Sequence, residues 1–265
     1  MSPKVLSPDT NLAHLKLLPA QLSFLAAPSA AELGSLATIF RRIMTRQRFS
    51  ELTMSPFDAF PNTHSESINI STGEQLRFNT EPEIWSGNNL PRFYSISPIF
   101  RNELYTSIFR LRCFHIFDAY YFTTTNGISR FLTNIINHVL IETGLPKIDW
   151  INSNHDEHSD APSIKSNNFS WIITSGYTPR NSFFDLDENG HSTRQELFLS
   201  TPYGFLEIGA LGLAGRKSPL AYCLRGNGDD LIQYRTGLYG LGIGLERLFV
   251  ACQLLRSVEV KGTTQ

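Results

Sequence analysis

The sequence predicts an α+β domain: an antiparallel β-sheet flanked by helices. Three observations point there. An amphipathic helix with a capping signal opens near Ser29. A long series of short segments follows, with apolar residues alternating between polar turns. One helical stretch, Ile128 to Thr143, interrupts the series, and a last helix from about Leu245 to Leu255 closes it. Strands in runs, rather than strands alternating with helices, favour an antiparallel sheet.

Composition sets the limits. The 265 residues are 41% hydrophobic and 18% charged, which permits a packed core. A net charge of −1 gives no basic excess, so a broad nucleic-acid-binding surface is not expected. Cys113, Cys223 and Cys252 are odd in number and far apart. They suggest neither a disulfide framework nor a zinc knuckle, and fit reduced thiols in a cytoplasmic protein. The N-terminal residues lack the apolar stretch of a signal peptide, and no run is long enough to span a membrane.

Residues 1 to 30 contain four prolines and read as an arm ahead of a domain covering 31 to 265. Ser29 with Glu32 has capping-box spacing. Leu33, Leu36, Ala37, Phe40, Ile43 and Met44 then form one apolar helical face, ending near Arg46 to Arg48. Phe49 to Met54 reads as a strand stopped by Pro56. Residues 61 to 75 read as a polar hairpin or loop, Gln75 to Thr80 as a strand, and Glu81 to Asn88 as a short helix. Arg92 to Glu103 and Arg110 to Phe122 read as two strands. In the second, Phe114, Ile116, Tyr120 and Phe122 share one parity. Gly144 and Pro146 close the helix that starts at Ile128.

Residues 152 to 168 read as a long loop or insertion. Within it, Asn154-His-Asp-Glu-His158 has weak metal-ligand spacing and reads as a solvated loop. Trp171 to Thr174, Phe183 to Asp187, Glu196 to Ser200 and Gly204 to Gly209 read as successive strands, with a turn at Asp187-Glu-Asn-Gly190. Gly240, Gly242 and Gly244 alternate. On a strand they bare the backbone of one face and allow a ligand or another chain to approach closely.

Three segments resemble, in order, motifs 1, 2 and 3 of the class II aminoacyl-tRNA synthetases. They are the helix–strand–Pro unit from Ala31 to Pro56, Phe100-Arg-Asn-Glu103 with Arg110-Leu-Arg-Cys-Phe114, and Gly240-Leu-Gly-Ile-Gly-Leu-Glu-Arg247. The third is the most specific. The resemblance implies an ATP- and Mg²⁺-dependent ligase that activates an amino acid or related carboxylic acid as its adenylate. Arg101 would hold the α-phosphate and the substrate carboxylate. Glu103 would accept from the adenine amino group, and Phe114 would stack on the ring. Of Arg110 and Arg112, which flank the motif 2 turn, Arg110 matches better as the one that would reach the γ-phosphate. Arg247, following Gly244, would contact the γ-phosphate and the other adenine face. Glu207 would coordinate Mg²⁺, with Glu196 as a second acidic ligand, or else Glu207 would pair with a nearby arginine. The electrostatics suit the task, because attack of a carboxylate on a phosphate brings two anions together and a fixed guanidinium offsets their repulsion.

Further expectations follow from the resemblance. Trp85, Asn102, Tyr120, Trp171 and Ser175 are candidates to line the substrate pocket. Cys113 stands where many relatives carry Glu, and reads as a packed strand cysteine. His115 falls on the strand face opposite Phe114. The motif 1 unit is expected to form a homodimer, or else to bury its helix within one subunit. About 30 residues precede motif 1 and fewer than 20 follow Arg247, which leaves no place for an anticodon-binding module. The expected acyl acceptor is therefore a carrier protein, an amine or a protein side chain, with tRNA possible but not favoured. A catalytically silent regulatory subunit is the alternative.

Overall fold

The computed structural model describes residues 27–57, 67–77, 92–102, 111, 113–123, 128–146, 170–175, 195–201, 204–214 and 237–262. The expected helix at 81–88, strand at 183–187, turn at 187–190 and loop at 152–168 lie outside them. So do Trp85, Glu103, Arg110, the 154–158 segment and Cys223.

The described residues form α1 (Ala27–Arg46), β1 (Ser50–Glu51), β2 (Ile68–Asn69), β3 (Gln75–Leu76), β4 (Arg92–Phe100), β5 (Cys113–Thr123), α2 (Ile128–Thr143), β6 (Ser170–Ser175), β7 (Gln195–Thr201), β8 (Gly204–Ala214), β9 (Gly237–Gly244) and α3 (Leu245–Gly262). A seven-stranded sheet runs β1-β4-β5-β9-β8-β7-β6, and β2 and β3 make a separate hairpin. Six of the seven strands are antiparallel, as expected. β1 is the exception and lies parallel to β4, with Ser50 opposite Phe93 and Glu51 opposite Tyr94.

Helix α1 begins at Ala27, not after Ser29, so Ser29 is inside the helix rather than its cap and the helix reaches back into the expected arm. Pro28 in the first turn explains the earlier start, since its fixed φ suits a helix whose first N–H groups need no partner. Glu32, expected to complete the cap, instead accepts from Gln253 at 2.6 Å and Arg256 at 2.8 Å, tying α1 to α3. Leu36, Ala37, Phe40, Ile43 and Met44 are buried within the chain's own core. The helix ends as the N–H of Phe49 bonds to the carbonyl of Met44 at 3.0 Å. Arg48 takes the left-handed conformation there, with φ 60°.

The strand expected from Phe49 to Met54 is only two residues long. Its pairing with β4 ends with the N–H of Leu52 on the carbonyl of Tyr94. What fixes β1 is a side-chain network. Glu51 accepts from Arg41 at 2.8 Å and from the buried Tyr94 hydroxyl at 2.9 Å. Burial, reinforced by Glu51, pushes the Tyr94 phenol well above its ordinary pKa, so it stays a donor. The expected strand 75–80 likewise shrinks to Gln75–Leu76 within the described residues.

Helix α2 has the expected bounds. Gly144 (φ +80°) ends it, and Leu145 folds back to bond Leu140 and become buried. Helix α3 runs seven residues beyond the expected Leu255. Its Leu245, Leu248, Phe249, Val250, Ala251, Cys252 and Leu254 are buried almost all round, the pattern of a central helix. The three helices pack on one face of the sheet, where Phe40 stacks on Phe117 at 4.1 Å between ring centres. No helix among the described residues is long and apolar enough to cross a membrane.

Tyr94 on β4, Phe117 and Ala119 on β5, Leu241 and Ile243 on β9, Leu206, Ile208 and Leu211 on β8, and Leu197 and Leu199 on β7 belong to this core. Their neighbours on each strand therefore form the opposite face. A bulge between β7 and β8 sets the register there: Leu197 pairs with Gly209 but Phe198 with Glu207, leaving Ile208 extra. The backbones of β8 and β9 come very close beside the bulge. A Cβ on Gly209 would stand 2.0 Å from the Gly242 carbonyl oxygen. Gly209→Ala is expected to lower stability by about 3 kcal/mol or more, because rigid backbone must move to admit the methyl. Urea denaturation of this variant beside wild type measures the loss.

Candidate active site

The face opposite the helices gathers the motif residues. Arg101 follows β4 on the parity of Ile99, and Ile99 pairs with Phe114. The Arg101 guanidinium lies 5.2 Å from the centre of the Phe114 ring. Ile116, the next residue of β5 on this face, pairs with Gly244 of β9. Arg247, in the first turn of α3, packs its Cδ and Cβ over Gly244. The guanidiniums of Arg101 and Arg247 thus come from positions 146 residues apart in sequence to one end of one sheet face.

Arg247 is already engaged there. Its NH1 donates to Glu207 Oε2 at 2.8 Å and to the Glu207 carbonyl oxygen at 3.3 Å. Both side chains are about one-third exposed, so the contact is open to solvent and to a ligand. Glu207 pairs with Phe198 and Glu196 with Ala210, which puts both carboxylates on the same face of adjacent strands, offset by two positions of β7. Two hard oxygen donors suit a Mg²⁺ held mainly by phosphate and water, which needs only one or two carboxylates. They do not suit an all-protein cage, and among the described residues no group of three or more His, Cys, Asp or Glu could hold a metal.

Two of the three alternating glycines face side chains of β5. A Cβ on Gly242 would come 2.7 Å from Asp118 Oδ1, and one on Gly240 would come 3.2 Å from the Tyr120 ring. Their bare backbone makes room for side chains of the neighbouring strand. Asp118 is the residue the sequence reading missed. It lies on the site face between Ser95 and Gly242 and is 6% exposed. An acid at the centre of an aromatic strand was the available signal. Tyr120, a pocket candidate, stacks on Phe93 at 5.1 Å with the rings nearly parallel. Asn102 is exposed at the end of β4. Trp171 and Ser175 pair with Leu199 and Gln195, the register parity of the helix side, so the site-face positions of β6 are their neighbours.

Two further residues escaped the sequence reading. Arg77 is 3% exposed and donates to the carbonyls of Ser55 at 2.6 Å and Phe57 at 2.9 Å. Its own carbonyl accepts the N–H of Phe100 at 2.8 Å, which fastens the strand end just before Arg101. Glu246 accepts the backbone N–H of His115 on both oxygens, at 2.9 and 2.8 Å, and His115 Nδ1 at 2.9 Å. His115 therefore serves β5 from the helix side, as its parity predicts, but is not enclosed in the sheet: 44% of its side chain is exposed. Cys113 is half-buried, and burial, with the nearby Glu246 carboxylate, pushes its thiol up, which favours the protonated form.

No protein-family model matches the sequence, and no curated protein matches it either. Solved structures do. An asparaginyl-tRNA synthetase from Pyrococcus horikoshii, complexed with asparaginyl-adenylate, aligns with 86% of this chain and 66% of its own, at 14% identity and a TM-score of 0.60. This chain has the class II aminoacyl-tRNA synthetase fold. A pyrrolysyl-tRNA synthetase from Desulfitobacterium hafniense aligns over 84% of this chain and 70% of its own, at 14% identity and TM-score 0.51. An aspartyl-tRNA synthetase from Entamoeba histolytica aligns over 85% and 55%, at 12% and 0.55. The chain thus spans roughly half to seven-tenths of the length of these structures. As in the sequence resemblance, the fold is that of the synthetase catalytic domain.

The hydrogen bond to Glu246, against a smaller opposing effect of burial, raises the His115 pKa above 6.5. The charged imidazole therefore adds stability that is full below about pH 6.5 and fades as pH rises through the raised folded value. His115→Asn keeps a donor but cannot titrate. Urea midpoints of the two proteins are expected to differ most near pH 6, with the gap closing as the medium turns alkaline.

Proposed function

We propose that this chain activates an amino acid, or a related carboxylic acid, with ATP. The carrying observation is the polarity of the site face. At one end Arg101 lies over the Phe114 ring and Arg247 over Gly244, and further along the same face lies the buried carboxylate of Asp118. An α-amino acid is complementary to that order, with its carboxylate toward the guanidiniums and its ammonium toward Asp118. A nucleoside triphosphate fits the cationic end, its purine on Phe114 and its phosphates between the arginines. The adenylate named in the asparaginyl enzyme's structure is the product such an arrangement would form.

In the proposed step a carboxylate oxygen attacks the α-phosphorus. The P–O bond to the β-phosphate breaks and pyrophosphate leaves. Arg101 offsets the repulsion between the two reacting anions and Arg247 holds the leaving phosphates. Mg²⁺, when bound at Glu207 and Glu196, would neutralise phosphate charge. For Arg247 to reach phosphate, its contact with Glu207 has to loosen or be shared, and the partial exposure of the pair permits this. Asp118 orients the acid by its ammonium group and so excludes acids without one.

A nucleophile then attacks the acyl carbon and AMP departs. We assign that role to a carrier protein, an amine or a protein side chain rather than an ordinary tRNA, because the net charge of −1 supplies no broad basic surface. A cytoplasmic setting accompanies this reading, and Cys113 and Cys252 are free thiols. So does a homodimer through the α1–β1 unit. The apolar face of α1 is used by the chain's own core, so dimer contacts would fall on its outward face, which carries Gly34, Ser35, Thr38 and Thr45.

Exchange of labelled pyrophosphate into ATP, screened across amino acids, tests the reaction. One acid or a small set is expected to support exchange, and Arg101→Ala and Arg247→Ala are each expected to cut it about a hundredfold or more. Protein that binds ATP but exchanges with no acid would favour the silent-subunit alternative and reject the activation reading.

A further inference from the structure

Strand β5 and helix α3 meet where His115 faces Glu246. The backbone ladder between β5 and β9 ends at Ile116 and Gly244, because the chain turns into α3 at Leu245. The N–H of His115 lies just past that end. Pro98 stands opposite His115 on the other side, in β4. Glu246 takes over where the ladder stops. Its carboxylate, 7% exposed, receives the His115 N–H on both oxygens and the imidazole Nδ1 on one. A charged acceptor makes such bonds stronger than backbone carbonyls do.

The neighbours of this junction are the two groups that would grip a purine. Phe114 precedes His115 and Arg247 follows Glu246. Arg247 reaches the other way, to Glu207 on β8. The first turn of α3 is thus pinned on one side to β5 through Glu246 and on the other to β8 through Arg247.

We infer that Glu246 is a positioning residue that sets the width of the slot between the Phe114 ring and the Arg247 guanidinium, the slot in which the adenine of ATP is held. The inference rests on the nucleotide-binding reading above and assigns that site a residue which touches no substrate. His115 is the second half of the device, because its imidazole anchors the carboxylate that bridges strand and helix.

The test compares binding of ATP with binding of inorganic tripolyphosphate, which has the charge but no purine, to wild type, Glu246→Gln, His115→Ala and His115→Asn. Glu246→Gln keeps the shape but turns an amide N–H₂ toward donors. It is expected to weaken ATP about tenfold and to leave tripolyphosphate within about threefold of wild type. His115→Ala keeps the backbone bonds and is expected to weaken ATP about threefold, while His115→Asn, whose amide replaces the Nδ1 donor, restores most of the loss. An equal loss of both ligands in Glu246→Gln would make the junction a general structural support and overturn the inference. So would unchanged ATP affinity. If Glu246→Gln does not fold, equal ATP affinity in wild type, His115→Ala and His115→Asn overturns it instead. Wild type that binds tripolyphosphate but not ATP, or neither ligand, sinks the nucleotide reading itself and the inference with it. Wild type that binds ATP while the variants fail the pattern sinks the inference alone.

Discussion

The arrangement depends on how closely β9 lies against its two neighbours. Gly242 is the centre of that contact. On one side its carbonyl oxygen fills the space where Gly209 would carry a Cβ, and on the other its missing side chain admits Asp118. The close approach across β8 and β9 keeps the sheet continuous from the Arg101 end to the Glu207 end. Asp118 stands where β5 is paired on both sides, with β4 and with β9, and a backbone so paired lets a polar side chain be buried above it at tolerable cost.

The chemistry of the face follows from a division of labour between its two sides. Apolar residues of alternate parity bind the sheet to three helices, and that packing supplies rigidity. The remaining parity mixes buried apolar residues such as Phe93, Ile99 and Phe198 with the polar groups, which would destabilise an apolar core if packed among the helices. Arg77, Glu246 and Glu51 work at the margins. Each anchors a strand end or a helix start with a charged group, and each lies next to a segment that carries a motif residue. Positioning in this fold is therefore achieved at the ends of elements, where the backbone runs out of partners of its own.

Much of the fold was legible because hydrophobic period and stop signals agreed. Helix α2 shows this best: apolar residues recur every three to four positions, then Gly144 and Pro146 end the run. Strands β5 and β9 were legible from alternation. β1 was not, because its length is set by where β4 stops offering a partner, and its parallel direction by a connection that leaves no mark on local sequence. The start of α1 was misplaced because a serine with a glutamate three residues on looks like a cap wherever it stands, while Pro28 carried the better signal. On the face opposite the helices, the positions of Arg101, Phe114 and Arg247 could be expected from spacing and order. Asp118 and Glu246 could not, because an acid in a strand or in the first turn of a helix reads as solvated until the tertiary neighbours are known. The Glu207–Arg247 contact has the same character: it joins positions 40 apart that only the β8–β9 pairing brings together.

Sheet order also bears on the sequence of events by which the molecule assembles. β4 and β5 are a hairpin-like pair, and β6, β7 and β8 are successive antiparallel neighbours, each set able to form from segments near one another in the chain. β5 and β9 are different, for more than a hundred residues separate them and their pairing joins the two sets into one sheet. Closing so long a loop is entropically slow and comes late in folding. Phe114 and Arg101 lie on one side of that seam, Arg247 and Glu207 on the other. A partly folded chain therefore holds these residues as two separate sets, and their juxtaposition becomes a signature of the completed molecule rather than of either part.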